Sequence, residues 1–477
     1  MAERNAPKHA TYLFGRRDFL RLGSGAVALL AEGTLARKAF AGRTSPRPRA
    51  RNILLIFTDQ QHIETIAAGG CPHVRTPSLD RLVRSGVSFT QSYTANPVCS
   101  PARSAVLTGR TSCETGVYVN GRAIRSDIPN LGQWFSQQAD HQTVYAGKWH
   151  LPRSYSSKIP GFEVINTGIG GFGYLCDAAV SRACEGFLRN RSRSRPFLMM
   201  ASFMQPHDIC EWLRLNMQNP GQLRYGELAG KLPELPDNFD FDKSEPQAVK
   251  QRRLGNEPAK GAWSKEHWRY YRWSYYRNIE NLDAEIGRIL QALEVYGYLE
   301  DTLIALTSDH GEGMAHHQMV RKNTLYNEAA RVPLIFSWPG HIQRSRIDSA
   351  HLVSGLDIMP TLCDYAGIGP PQDMRGVSLR PILEGKSTPG RDFIITEVQA
   401  NTGRMVRTNR YKYVTYIDEP RQQLFDMKGD PGETRNLAAD ARHASVVADH
   451  QKLLYEWESR LDVARRVPHR DAWRDNA

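Results

Sequence analysis

Four short apolar runs in this 477-residue chain each end in residues that can hold a cation or carry charge. Residues 52–58 lead into Asp59-Gln60, and 143–146 into Gly147-Lys148-Trp149-His150. Residues 197–203 lead to Gln205-Pro206-His207, and 302–307 to Ser308-Asp309-His310-Gly311. Any one of these taken alone is an ordinary solvated loop start; together they deliver two Asp, two Gln, three His and one Lys to a common rim. Asp59, Asp309 and the amide oxygen of Gln60 are hard ligands suited to Ca²⁺, Mg²⁺ or Mn²⁺. A nitrogen from His310 would pull the preference toward Mn²⁺ or Mg²⁺. His316 and His317 are adjacent, so they do not face together on a helix or strand. With no H-E-x-x-H in the chain, zinc is disfavoured.

The sharpest signal is Cys99-Ser100-Pro101-Ala102-Arg103, which runs on to Leu107-Thr108-Gly109-Arg110. Ser100 is a plausible N-cap and Pro101 fits a first helical turn. Cys99 then sits just before a helix N-terminus, where backbone N–H groups favour an anion, and Arg103 lies one turn along. By itself such a cysteine reads either as a low-pKa thiol or as a small buried apolar residue.

These residues need elements to position them. Continuous apolar runs read as buried parallel strands, and residues 332–338 form a fifth. Helical patterns lie between the runs. The clearest spans 273–296, with Ile279, Leu282, Ile286, Ile289, Leu290 and Leu293 on one face. The expected fold is α/β: a large, mostly parallel central sheet flanked by helices, with a smaller C-terminal α+β domain. In such sheets ligands bind beyond the carboxyl ends of the strands, where the polar clusters fall. The catalytic domain is expected over 51–385 and the C-terminal domain over 386–477, with strands at 394–398 and 411–417 and a helix at 444–461. Residues 211–260 are polar and Pro-rich and read as a long irregular insertion able to build a substrate pocket.

Composition excludes disorder and low-complexity classes: 40% of residues are hydrophobic and 23% charged. Seven cysteines without C-x-x-C exclude a disulfide scaffold and a zinc ribbon. Adjacent Arg16-Arg17, a mildly apolar run and Ala39-Phe40-Ala41 resemble a twin-arginine export signal over 1–41, followed by a linker over 42–50. This predicts a periplasmic or secreted protein with no membrane anchor, since no segment reaches 18 apolar residues. Residues 1–41 hold seven basic and three acidic residues, so their removal lowers the net charge from +12 to +8. The remaining charge suits an anionic partner.

C-x-P-x-R followed by Leu107-Thr108-Gly109-Arg110 resembles the signature of the type I sulfatases, in the alkaline phosphatase superfamily. The resemblance recurs in order over roughly 50–440: at Asp59-Gln60, at Gly147-Lys148-Trp149-His150-Leu151, and at Ser308-Asp309-His310-Gly311-Glu312. It continues at Lys322, at Arg331-Val332-Pro333-Leu334-Ile335, and at Leu424-Phe425-Asp426 with Asp430-Pro431-Gly432-Glu433. It implies an exported sulfuric-ester hydrolase acting on a sulfated small molecule or glycan. It further implies that a separate maturation enzyme oxidises Cys99 to formylglycine, whose hydrate is the nucleophile. Asp59, Gln60, Asp309 and His310, with residue 99, would hold one divalent metal ion, Ca²⁺ first and Mn²⁺ or Mg²⁺ next. Arg103 would orient the hydrate, and Lys148 and Lys322 would neutralise the sulfuryl group. His150 would be the base that expels sulfate. His207, with Lys322, would be the acid for the leaving oxygen, and His317 matches a position near the site. Asp-Gln replaces the more frequent Asp-Asp, which keeps Mn²⁺ in contention, and Pro152 stands where Gly is usual.

Two other activities compete. Phosphonate or phosphate esters present a similar tetrahedral oxyanion, and a non-catalytic glycan binder would need the same surface but not every polar motif. The stretch 263–273 interleaves aromatic and basic residues as single-strand nucleic-acid grooves do. The expected reading is instead a helix start packing its aromatics, or a glycan-stacking wall, with no nucleic-acid partner.

Overall fold

The computed structural model describes residues 49–169, 171–216, 226–255, 263–398, 400 and 402–461. The leader expected over 1–41 lies outside them, as do residues 42–48 of the linker.

Among the described residues fourteen strands form three sheets. In chain order they are β1 (Asn52–Asp59), β2 (Gly86–Phe89), β3 (Ser92–Tyr93), β4 (Gln142–Gly147), β5 (Glu163–Asn166), β6 (Phe197–Pro206), β7 (Thr302–Ser308), β8 (Leu334–Ser337), β9 (Arg346–Asp348), β10 (Val353–Ser354), β11 (Phe393–Val398), β12 (Gly403–Thr408), β13 (Tyr411–Tyr416) and β14 (Gln423–Asp426). The main sheet has eight strands in the order β5-β4-β6-β1-β7-β8-β2-β9. Only β8 within it runs antiparallel to its neighbours β7 and β2. The α/β expectation, with a mostly parallel sheet, is met, and all five apolar runs are strands of it.

Every residue of β1 is buried, because both faces of the sheet are covered. Ile53, Leu55 and Phe57 enter one apolar cluster, while Leu54 and Ile56 enter the other. This two-sided burial explains the unbroken apolar run, where a one-sided strand would alternate. The second cluster is closed by the helix Lys265–Val295, through Leu282, Ile286, Ile289, Leu290 and Leu293. Its N-cap Ser264 accepts from the His267 N–H. The aromatic stretch is the start of this helix: Trp263, Trp268 and Tyr271 are buried in a core of their own. Residues 211–260 are less irregular than expected. Among the described residues there, Ile209–Asn216 and Gln247–Leu254 are helices.

The last four strands form an antiparallel sheet in sequence order. The helix Ala444–Ser459 covers one face, packing Val446, Val447, Leu453, Leu454 and Trp457 near Ile395, Val406, Tyr413 and Leu424. The other face puts Ile394, Met405, Val414 and Phe425 into a core with Tyr93, Leu325 and Tyr326. A buried ion pair, Lys412 Nζ to Glu433 Oε1 at 2.6 Å, lies nearby.

Candidate active site

The carboxyl ends of four adjacent parallel strands meet at one rim. Thr58 pairs with Ser308, Asp59 with Pro206, and Gly147 with Ser202. The chain leaves this edge by sharp turns: Gln60 and His150 both adopt positive φ, at 70° and 63°. Gly147, at φ 104°, lies so close to the Ser202 carbonyl that a Cβ would come within 1.8 Å of it.

Opposite the rim, the helix Cys99–Thr108 points its first turn at the strand ends. Its start differs from expectation. Val98, in extended conformation, is the N-cap, and Cys99 is the first helical residue. Ser100 does not cap: its hydroxyl donates to the His150 carbonyl at 2.6 Å. The Ser100 N–H is instead satisfied by Asn120 Oδ1 at 2.9 Å, a cap supplied from another part of the chain.

Asp59, Cys99, Asp309 and His310 are all buried, and they present ligand atoms that lie within 4.8 Å of one another. Cys99 Sγ is 3.1 Å from His310 Nε2 and 3.9 Å from Asp59 Oδ1. His310 Nδ1 is 2.9 Å from the Gly311 carbonyl. A carbonyl only accepts, so Nδ1 carries the proton and Nε2 is the nitrogen turned to the cluster.

The cations around the cluster are as specific as the anions. Arg103 is fully buried and reaches both carboxylates, with Nη2 2.9 Å from Asp59 Oδ2 and Nε 3.1 Å from Asp309 Oδ2. Its Nη1 donates to Ser202 Oγ at 2.8 Å and to the Lys148 carbonyl at 3.0 Å. Lys148 Nζ lies 2.7 Å from Asp59 Oδ2. Gln60 is held at both ends of its amide: Nε2 donates to Glu312, and Oε1 accepts from the Lys322 ammonium. Glu312 also accepts from the Tyr271 hydroxyl and the Arg321 N–H.

Burial alone would raise the Asp59 pKa, but Lys148, His207, Arg103 and Lys322 outweigh it and hold the carboxyl well below its usual range. Asp309 goes the other way: burial, then the Asp59 charge, raises it to about 7. Two carboxylates that share one arginine and cannot both ionise freely fit a divalent cation between them. Burial lowers the His207 imidazole pKa well below normal, reinforced by Lys322 and Lys148. Burial likewise lowers His150, whose buried Nδ1 has no hydrogen-bond partner among the described residues. His150, His207 and Lys322 are only partly buried, whereas the four residues of the ligand cluster are fully buried.

The ten sequence-selected residues therefore converge. His317 does not join them. It stacks on Tyr326 at 4.0 Å and lies 3.2 Å from the Asn238 side-chain nitrogen. His316 contacts Asn238 and Glu328. Sequence reasoning assigned no role to Ser202, Tyr271, Glu312 or Cys210. Glu312 stood in a quoted motif. Cys210, three residues after His207, lies 3.3 Å from Gln60 Nε2.

A doubly covered α/β sheet with an acidic cation cluster and a cation-lined mouth at its carboxyl edge defines a hydrolase of the alkaline phosphatase superfamily. The sulfatase family profile matches residues 51–368. A second profile, N-sulphoglucosamine sulphohydrolase, C-terminal, matches 315–460. The chain is 31% identical to a Delta 4,5-hexuronate-2-O-sulfatase of Bacteroides thetaiotaomicron, over 88% of this chain and 92% of that protein. Among solved structures it resembles a 2-O GAG sulfatase, with a TM-score of 0.78 and 29% identity, covering 89% of this chain and 94% of that one. It also resembles the phosphonate monoester hydrolase of Agrobacterium radiobacter, with a TM-score of 0.73 and 25% identity, covering 87% and 96%. The chain belongs to the sulfatase family and is a hydrolase of sulfate esters.

Proposed function

We propose that this enzyme removes sulfate from a sulfated glycan and that Cys99, converted to formylglycine, supplies its nucleophile. The observation that carries this reading is the placement of Cys99: a buried first-turn residue against Asp59 and His310, facing Lys148 and Lys322. Asp59, Gln60, Asp309 and His310, with residue 99, would hold one divalent ion, Ca²⁺ first and Mn²⁺ or Mg²⁺ next. When bound, that ion supplies positive charge to the sulfuryl oxygens.

The hydrate of the formylglycine aldehyde carries two hydroxyls on one carbon. One loses its proton to solvent and attacks sulfur, the bond from sulfur to the sugar oxygen breaks, and that oxygen takes up a proton and leaves as the alcohol. The second hydroxyl then gives its proton to His150. The carbon–oxygen bond to sulfate breaks, the aldehyde re-forms and sulfate departs without water attacking sulfur. A serine or cysteine adduct would have no second hydroxyl to drive this collapse. Lys148 and Lys322 offset charge on the transferring group, and Arg103 orients the hydrate. His207, with Lys322, protonates the leaving oxygen. Its imidazole is neutral beside these cations, and an anionic ester seated among them raises its pKa toward a working value.

The glycan is supported by the hexuronate sulfatase relative. Maturation by a formylglycine-generating enzyme, twin-arginine export of 1–41, a periplasmic or secreted location, and domains over 51–385 and 386–477 belong to the same reading. Among the described residues no helix is long and apolar enough to cross a membrane. Peptide mass spectrometry around residue 99 tests the mechanism. Loss of about 18 Da relative to cysteine is expected for the converted nucleophile, and an intact thiol in fully active protein would refute it. Similarity to the phosphonate hydrolase favours a second reading, phosphonate ester hydrolysis. Kinetics on paired aryl sulfate and aryl phosphonate substrates decide between them, and a strong phosphonate preference would displace the first.

A further inference from the structure

The strand that delivers His207 leaves its ladder before reaching it. β6 keeps register with β1 as far as Ser202 opposite Phe57, and then Pro206 stands opposite Asp59. A step of two residues along β1 thus spans four along β6, a bulge at the rim of the site. On the other side, the pairing of β6 with β4 ends at Ser202 opposite Gly147. Met204 and Gln205 have no partner in either register and are buried. Their N–H groups therefore need acceptors from outside the sheet.

Asp177, on the helix Gly173–Asn190, supplies both. Its Oδ1 accepts from the Met204 N–H at 2.7 Å and its Oδ2 from the Gln205 N–H at 2.8 Å. The clamp is reciprocal. Asp208 accepts from the first N–H groups of that helix, Gly173 at 2.7 Å and Tyr174 at 3.1 Å, and from Gln205 Nε2 at 2.8 Å. The two segments touch so closely that a Cβ at Gly173 would stand 2.6 Å from Gln205 Cγ. His207 lies between the clamped residues, and its N–H donates to the Met204 carbonyl at 3.0 Å. Met204 also places its sulfur 3.7 Å from Lys148 Nζ. The remaining polar contact of Asp177 is the Cys176 thiol at 3.4 Å. A carboxylate is costly to bury without a cation, and burial raises Asp177 to about 7 against the pull of the two N–H groups. In return it gives the bulge two directed acceptors, which an apolar side chain could not.

We infer that Asp177 and Asp208 are positioning residues for His207, fixing the bulged end of β6 so that the imidazole is aimed at the leaving oxygen. The inference rests on the reading of His207 as the acid for that oxygen and adds what holds it there. An acid acts as the bond to the leaving oxygen breaks, so displacing it costs most where the leaving alcohol is poor.

The test measures kcat and KM for a series of aryl sulfates, from para-nitrophenyl, a good leaving group, to para-methoxyphenyl, a poor one. The enzymes are wild type, His207→Ala, Asp177→Asn and Asp208→Asn. Each asparagine sets an amide NH2 against an N–H that the carboxylate accepted. His207→Ala should steepen the fall of kcat across the series. The asparagine variants should steepen it in the same direction, losing about ten- to a hundredfold more on the poorest ester than on the best. KM should change little, because the proton is delivered only in the transition state. Partial unfolding or incomplete conversion of Cys99 lowers every ester alike and leaves the slope as in wild type. Should Asp177→Asn fail to fold, Asp208→Asn, at a half-buried residue, decides. If the asparagine variants keep the wild-type slope while His207→Ala steepens it, the clamp is structural only and the inference is overturned. If His207→Ala itself keeps the wild-type slope, His207 is not the acid; that reading fails, and the inference with it.

Discussion

His310 Nε2 lies 3.1 Å from Cys99 Sγ, held there by the contact of its Nδ1 with the Gly311 carbonyl. One backbone carbonyl thus selects the ring tautomer and aims the other nitrogen at the nucleophile position. His310→Ala should lower the affinity for added Ca²⁺ or Mn²⁺ by at least about tenfold. Asp59→Ala and Asp309→Ala should lose bound metal together with activity. Elemental analysis after dialysis reads all three, and full retention of metal in the two aspartate variants would remove them as ligands.

Gln60 is bracketed by an acceptor and a donor: its amide nitrogen faces the Glu312 carboxylate, and its oxygen faces the Lys322 ammonium. Reversal of the amide would break both contacts. Gln60→Glu sets two carboxylates together and should destabilise the protein by about 1–3 kcal/mol. Adding Glu312→Gln should restore much of that loss. Denaturant melts of the two single variants and the double variant close the cycle, and strict additivity would mean that the two side chains do not act together.

Lys412 and Glu433 are fully buried and 2.6 Å apart. The Asn327 N–H donates to the second Glu433 oxygen at 2.7 Å, and Lys412 donates to Asn327 Oδ1 at 3.2 Å. The pair therefore ties the C-terminal sheet to the short helix Asn327–Ala330 that precedes β8. Lys412→Met leaves a carboxylate buried without its cation and should cost about 3–5 kcal/mol. Lys412→Met with Glu433→Gln should cost less than the single change, as measured by chemical unfolding.

His141 packs edge-on against Phe135. Burial lowers its pKa from 6.5 to about 4, with Asp140 opposing. The unfolded chain therefore takes up this proton at higher pH than the folded one. Stability is complete above about pH 6.5, falls as pH drops toward about 4, and levels off below, a total effect of about 3 kcal/mol for this group. His141→Phe should flatten that part of the stability–pH curve. An unchanged slope would mean that His141 is not buried neutral.

The strands could be read from the sequence because both faces of the sheet are covered, which makes β1, β4, β6 and β7 unbroken apolar runs. The polar residues after them could be read because a parallel sheet delivers every strand's carboxyl end to one edge. The start of the Cys99 helix was less legible. Ser100 has the composition of an N-cap, yet its hydroxyl is taken by the His150 carbonyl and its N–H by Asn120. Both partners are distant in sequence, and local propensity carries no record of them. Residues 211–260 read as irregular because their polar, Pro-rich composition masks two short helices, stabilised by packing rather than propensity.

The sequence by itself determined the chemical inventory: which residues carry charge, which can ligate a cation, and that a cysteine stands in the signature of this family. The tertiary structure alone decided how they act together. Arg103 reaches Asp59, Asp309 and Ser202 at once, and Glu312 sets the orientation of Gln60. His317 falls away to Tyr326, although the resemblance places it near the site. Side-chain direction at a strand end depends on positive-φ turns and on contacts between segments tens to hundreds of residues apart. Those contacts are set by packing the whole sheet, so no local pattern in the chain could encode them.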